Sequence, residues 1–122
     1  MNKKSVIFLG SSLNDLQQMP QAVKDVFGHN LHLAQCGEFP SVAKPLKGIK
    51  VGEVTSITEL VSNFHGNTYR AVYTIEYRDT LYVLHCFQKK SKSGIATPKP
   101  DIDLIKSRLQ TVISLEKQKN KE

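Results

Sequence analysis

The chain has 122 residues, with 17 lysines and arginines against 11 aspartates and glutamates, for a formal net charge of +6. That length suits a single domain with a core of its own, and 39% hydrophobic with 23% charged residues excludes a disordered composition. No apolar run approaches the roughly 18 residues of a membrane span, and the stretch from Val6 to Leu9 is too short for a secretory leader.

The basic excess points to an anionic partner such as nucleic acid, an anionic surface or an acidic protein. It is unevenly spread: residues 1–88 carry 8 basic and 7 acidic side chains, residues 89–122 carry 9 and 4. Cys36 and Cys86 are far apart, and with His29, His32, His65 and His85 they form no spaced metal-ligand set. Two reduced thiols in a cytoplasmic protein, with no metal and no cofactor, is the expectation.

In chain order, the β-branched run Ser5 to Leu9 reads as a strand. Ser11 or Ser12 suits the cap of a short helix over Leu13 to Met19, because a serine oxygen accepts from free first-turn amides. Pro20 suits the first turn of a second helix, on which Val23, Val26, Phe27, Leu31 and Ala34 recur near a 3.6-residue period. That helix ends before Gly37, and Glu38 to Gly52 reads as loop.

Three strands follow. Thr55 to Asn63 is β-rich, and Phe64 to Asn67 is a turn. Tyr69 to Tyr77 alternates, with Tyr69, Ala71, Tyr73, Ile75 and Tyr77 on one face and Arg70, Val72, Thr74 and Glu76 on the other. Arg78-Asp79 is the candidate hairpin turn. Leu81 to Gln88 is nearly all apolar, as a strand covered on both faces would be. From Pro100 to Lys119, Ile102, Ile105, Leu109, Val112 and Ile113 share a helical face. The order β-α-α-β-β-β-α is an α+β arrangement.

No phosphate-binding glycine loop, zinc helix or nucleophile elbow is present. Candidate chemistry therefore rests on placement. Pairing the last two strands about Arg78-Asp79 sets Arg70 opposite Phe87 and close to Lys89, giving one cationic cluster with Lys90 and Lys92. A lone strand arginine is otherwise a solvated residue. Lys44, Lys47 and Lys50 either track a phosphate backbone or solvate a loop. Tyr69 either stacks on a base or packs in the core. His85 is either a buried, satisfied histidine or an acid-base group titrating near neutrality. No pair of carboxylates converges on the cationic cluster.

The segments Pro45-Leu-Lys-Gly48, Tyr69-Arg-Ala-Val-Tyr73, Leu84-His-Cys-Phe-Gln-Lys-Lys-Ser91 and Thr97-Pro98 occur in an order that resembles the RelE/ParE superfamily of toxins, in its phage-derived HigB-like branch. The resemblance spans nearly the whole chain, except that the exit between Lys90 and Pro98 is longer here, where a more mobile loop is expected. It implies a small RelE-like fold: an N-terminal strand and helical hairpin on a twisted antiparallel sheet, then a C-terminal helix. It implies the toxin of a type II toxin-antitoxin system, a metal-independent endoribonuclease acting on mRNA at the ribosome. Its partners would be a cognate antitoxin (a helix-turn-helix or acidic protein), the ribosome and mRNA. Arg70, Lys89, Lys90 and His85 would be catalytic, and Lys44, Lys47, Lys50, Lys92 and Tyr69 would bind RNA. A gyrase-poisoning toxin and an inactive phage-derived binding module are the alternatives.

Overall fold

The computed structural model describes residues 3–89 and 97–120. The elements are β1 (Ser5–Phe8), α1 (Ser12–Gln17), α2 (Gln21–Gln35), β2 (Ala43–Pro45), β3 (Ile57–Phe64), β4 (Asn67–Thr74), β5 (Thr80–Lys89) and α3 (Lys99–Asn120). They form an α+β fold with one five-stranded sheet in the order β1-β5-β4-β3-β2. Among the described residues no helix is long and apolar enough to cross a membrane.

The sheet is mixed rather than purely antiparallel: β1 runs parallel to β5, and the other pairings are antiparallel. Strand residues can be read from composition, but direction is set by the connection. Here α1 and α2 carry the chain away from β1, and it returns through three further strands before reaching β5. The expected loop from Glu38 to Gly52 contains β2, whose three residues, Ala43 to Pro45, pair with Leu60 to Thr58. Three residues are too few for a periodic signal.

The β3–β4 turn is as the sequence predicts, with Phe64 opposite Asn67. His65 and Gly66, at φ 52° and 79°, supply the left-handed pair that a two-residue hairpin of this hand requires. The β4–β5 turn differs. β4 ends at Thr74, which pairs with Tyr82, and the register shifts between Val72 and Tyr73. The connection is longer than Arg78-Asp79 because Ile75 to Tyr77 leave the strand. The shift comes from one extra residue, Leu84: Val72 pairs with His85 but Tyr73 pairs with Val83. Such a bulge re-aims the side chains around it.

Two cores cover the sheet. On one face Val23, Phe27, Leu31 and Ala34 of α2 pack on Leu60, Ala71, Tyr73, Leu81 and Val83. On the other Ile105, Leu109 and Val112 of α3 pack on Ile57, Val72, Tyr82 and Leu84. β5 is thus buried on both faces, as its apolar run implies. Pro20 sits one position before α2, at its cap, and Gly37 at φ 89° turns the chain at the far end. Ser11 occupies the α1 cap position, but its hydroxyl donates to Asp15 Oδ2 at 2.8 Å instead of accepting from a first-turn amide.

Candidate active site

The pairing of β4 with β5 sets Arg70 opposite Phe87 and Thr68 opposite Lys89. On β3, Glu59 pairs with Val72 and with Lys44 of β2. Cross-strand partners share a face, so Lys44, Glu59, Arg70 and Lys89 all lie on the α3 face of the sheet. Arg70 Nη1 donates to Glu59 Oε1 at 2.7 Å, and Lys44 Nζ stands 3.5 Å from the same oxygen.

Arg70 is 6% exposed and Glu59 3%, so this is a buried ion pair and Arg70 is not on a solvated strand face as its alternation suggested. Glu59 accepts from its guanidinium, and Phe87 is its cross-strand neighbour on β5. The cluster meets solvent through Lys44, whose side chain is 56% exposed. Among the described residues, two of its atoms, Arg70 Nε and Glu59 Oε2, are buried without a hydrogen-bond partner. Lys89, also buried, has its ammonium pulled below the usual lysine range by desolvation, with the charges of Arg70 and Lys44 adding to the effect and Glu59 opposing it.

His85 belongs to a separate network. Its Nε2 lies 2.7 Å from Asp101 Oδ1, and its Nδ1 lies 3.4 Å from Arg108 Nη1. A guanidinium only donates, so Nδ1 accepts and the Nε2 proton goes to Asp101. Both ring nitrogens are therefore engaged by protein groups. Burial lowers the imidazole pKa further than the Asp101 hydrogen bond restores it, and Phe87 stacks on the ring at 4.5 Å. Arg108 also donates to the Leu84 carbonyl at 2.9 Å and to Ser11 Oγ at 3.2 Å. The bulge at Leu84 and His85 is what presents both groups to α3.

Tyr69 sits on the opposite face from Arg70, buried in the α2 core. Lys47 and Lys50 are exposed in the loop after β2, anchored by buried Ile49, and flank a shallow cleft of about 430 Å³. Lys90 and Lys92, with the longer exit segment, lie outside the described residues. Burial pushes the Cys86 thiol up to about 12, which removes it as a nucleophile. Among the described residues no three His, Cys, Asp or Glu side chains converge as metal ligands.

Glu59, Asp101 and Arg108 are the residues that sequence reasoning passed over. Glu59 had a signal: an acid inside the run Ile57-Thr-Glu-Leu-Val61 is buried if that run is a strand, and a buried acid needs a cation.

Residues 14–110 match the family model described as phage derived protein Gp49-like (DUF891), from α1 to the middle of α3. No curated protein matches the chain at a significant level. A match over that share of the sequence places the chain in the phage-derived Gp49-like family.

Proposed function

We propose that the protein is the toxin component of a type II toxin-antitoxin system and that it cleaves mRNA at the ribosome without a metal. Membership of the phage-derived Gp49-like family fits a toxin of this kind. The observation that carries the cleavage reading is the orphan pair in the ion pair itself, Arg70 Nε and Glu59 Oε2. A buried unsatisfied polar atom costs about 1–3 kcal/mol, and such atoms in a folded protein call for an explanation, a functional one among them. Here one is a donor and its neighbour an acceptor.

The chemistry follows from that set. The RNA 2′-hydroxyl attacks the adjacent phosphorus, and its proton passes to Glu59 Oε2. Arg70 donates to the phosphoryl oxygens, where charge builds in the transition state. The P–O5′ bond breaks as Lys89 gives its proton to the leaving oxygen, leaving a 2′,3′-cyclic phosphate and a 5′-hydroxyl. A lysine with a lowered pKa is the better acid near neutrality. His85, neutral and engaged at both nitrogens, holds β5 to α3 instead of transferring a proton. Lys44, Lys47 and Lys50 guide the RNA backbone. A cognate antitoxin with an acidic segment would neutralise the same surface.

The test is to induce the chain in cells with and without a candidate antitoxin and map transcript 5′ ends. Wild type is expected to arrest growth and to cut mRNA, while folded Arg70→Ala and Glu59→Gln variants do neither. Growth arrest with intact mRNA and DNA damage would replace this reading with gyrase poisoning. No growth effect at all would replace it with a binding module.

A further inference from the structure

The reaction proposed above leaves a second cleft unused. β1 stops at Phe8, opposite Val83, so among the described residues the outer edge of β5 beyond that point has no strand beside it. α1 and the turn into α2 stand across from it. Between them lies a cleft of about 550 Å³ with Met19, Pro20 and Tyr69 on its apolar side and Asp15, Gln18 and Gln88 on its polar side. Met19 and Tyr69 are buried, while Gln18 and Gln88 are exposed and Asp15 is half-buried.

We propose that this cleft binds a guanine base of the RNA strand whose phosphate meets Arg70. The proposal rests on the ribonuclease reading for its context, but its chemistry is independent of it. An apolar side bearing a tyrosine ring takes the flat face of a base. A carboxylate only accepts hydrogen bonds, and two side-chain amides each offer a donor and an acceptor. Guanine presents adjacent N–H donors on its Watson–Crick edge, which match a carboxylate, and the acceptors O6 and N7, which match the amide donors. Adenine presents a lone pair where guanine presents N1–H, and it would meet the carboxylate lone pair to lone pair.

Asp15 is held for this task. The Ser11 hydroxyl donates to its Oδ2 at 2.8 Å, which orients the carboxylate while both oxygens keep lone pairs. The same charge repels phosphate, so the cleft favours the uncharged part of a nucleotide. The relation to the Arg70 cluster fits one nucleotide. Gln88 pairs with Tyr69 and Phe87 with Arg70, and Phe87, on the Arg70 face, also lines the cleft together with His85 and Cys86, so the cleft runs around the edge of β5 toward the cluster. Arg70 lies on the strand next to β5, about 4.8 Å away in the pairing direction. A strand of RNA passing over the free edge of β5 reaches both.

The experiment is a titration of the folded chain with GMP, AMP and inorganic phosphate, followed by backbone amide shifts. GMP is expected to move the amides around Asp15, Met19 and Gln88, and to bind about tenfold or more tightly than AMP, as a bidentate base contact would give. Asp15→Asn is expected to erase the GMP preference, and Gln88→Ala to weaken GMP binding without moving the phosphate response. Equal binding of GMP and AMP, or GMP shifts confined to the residues that inorganic phosphate moves, overturns the proposal. In cells Asp15→Asn should still cut mRNA but at redistributed bases. A wild type that cuts no RNA yet binds GMP in the cleft overturns the ribonuclease reading and leaves the guanine site standing.

Discussion

Arg70 and Glu59 illustrate why a buried charge is read best as a pair. Burial strips water from both, and neither is stable in the core alone. Glu59→Leu is therefore expected to lower unfolding stability by about 3–5 kcal/mol, since it strands a buried guanidinium. The double variant Glu59→Leu with Arg70→Met should recover most of that loss in urea unfolding, because an apolar pair packs without a desolvation cost. It should remain inactive. A second residue-scale constraint is Gly10. Its φ is +54°, and a Cβ there would stand 2.8 Å from the Arg108 guanidinium. Gly10→Ala would force the guanidinium off the Leu84 carbonyl and His85 and add about 1–2 kcal/mol of left-handed backbone strain. A lowered thermal midpoint for Gly10→Ala, rescued in part by Arg108→Ala, would verify the contact.

At the scale of elements, the docking of α3 on β5 is tied to the charge state of His85. An unfolded histidine takes up a proton near pH 6.5, whereas in the fold burial holds the pKa lower. Between those values the unfolded chain binds more protons, so stability rises with pH. The contribution is complete above about pH 6.5 and is lost as the pH falls through the folded value, at no more than about 1.4 kcal/mol per pH unit for one group. His85→Leu should flatten that slope in urea titrations at pH 5 to 7. An unchanged slope would assign it to other groups. The helices were legible in the sequence because Val23, Phe27, Leu31 and Ile105, Leu109, Val112 repeat at the helical period. The predicted pairing of Arg70 with Phe87 holds although the turn it was counted from differs, because the extra residue at Leu84 shifts the register by one. The parallel course of β1, the short β2 and the extra residue at Leu84 were not legible, since each is decided by tertiary pairing rather than by local pattern. The cationic half of the candidate site was readable from charge, and its carboxylate partner Glu59 was signalled only as an acid inside an apolar strand run, because which cation it meets is decided by the β3–β4 pairing.

Across the whole molecule, the net charge of +6 resolves into regions with different uses. α3 carries five basic side chains against three acidic ones, and two of the five are paired: Lys99 with Asp103 and Lys119 with Glu116. The helix therefore adds only a modest field of its own. The cluster on the sheet sets Lys44, Arg70 and Lys89 against the single carboxylate Glu59, with Lys47 and Lys50 on the adjoining loop. If RNA binds at the cluster, the salt dependence of binding will report it. Each phosphate contact to single-stranded RNA contributes about −0.7 to the slope of log affinity against log salt. With phosphate contacts from Arg70, Lys44, Lys47 and Lys50, a short RNA should thus bind with a slope of about −3, and Lys44→Gln should reduce its magnitude by about 0.7. Lys106→Gln and Lys117→Gln, on exposed faces of α3, should lower affinity only slightly and leave the slope within about 0.2 of wild type, because charges beyond a Debye length of roughly 10 Å are screened. Equal effects from the α3 lysines and Lys44 would move the RNA path from the sheet to the helix.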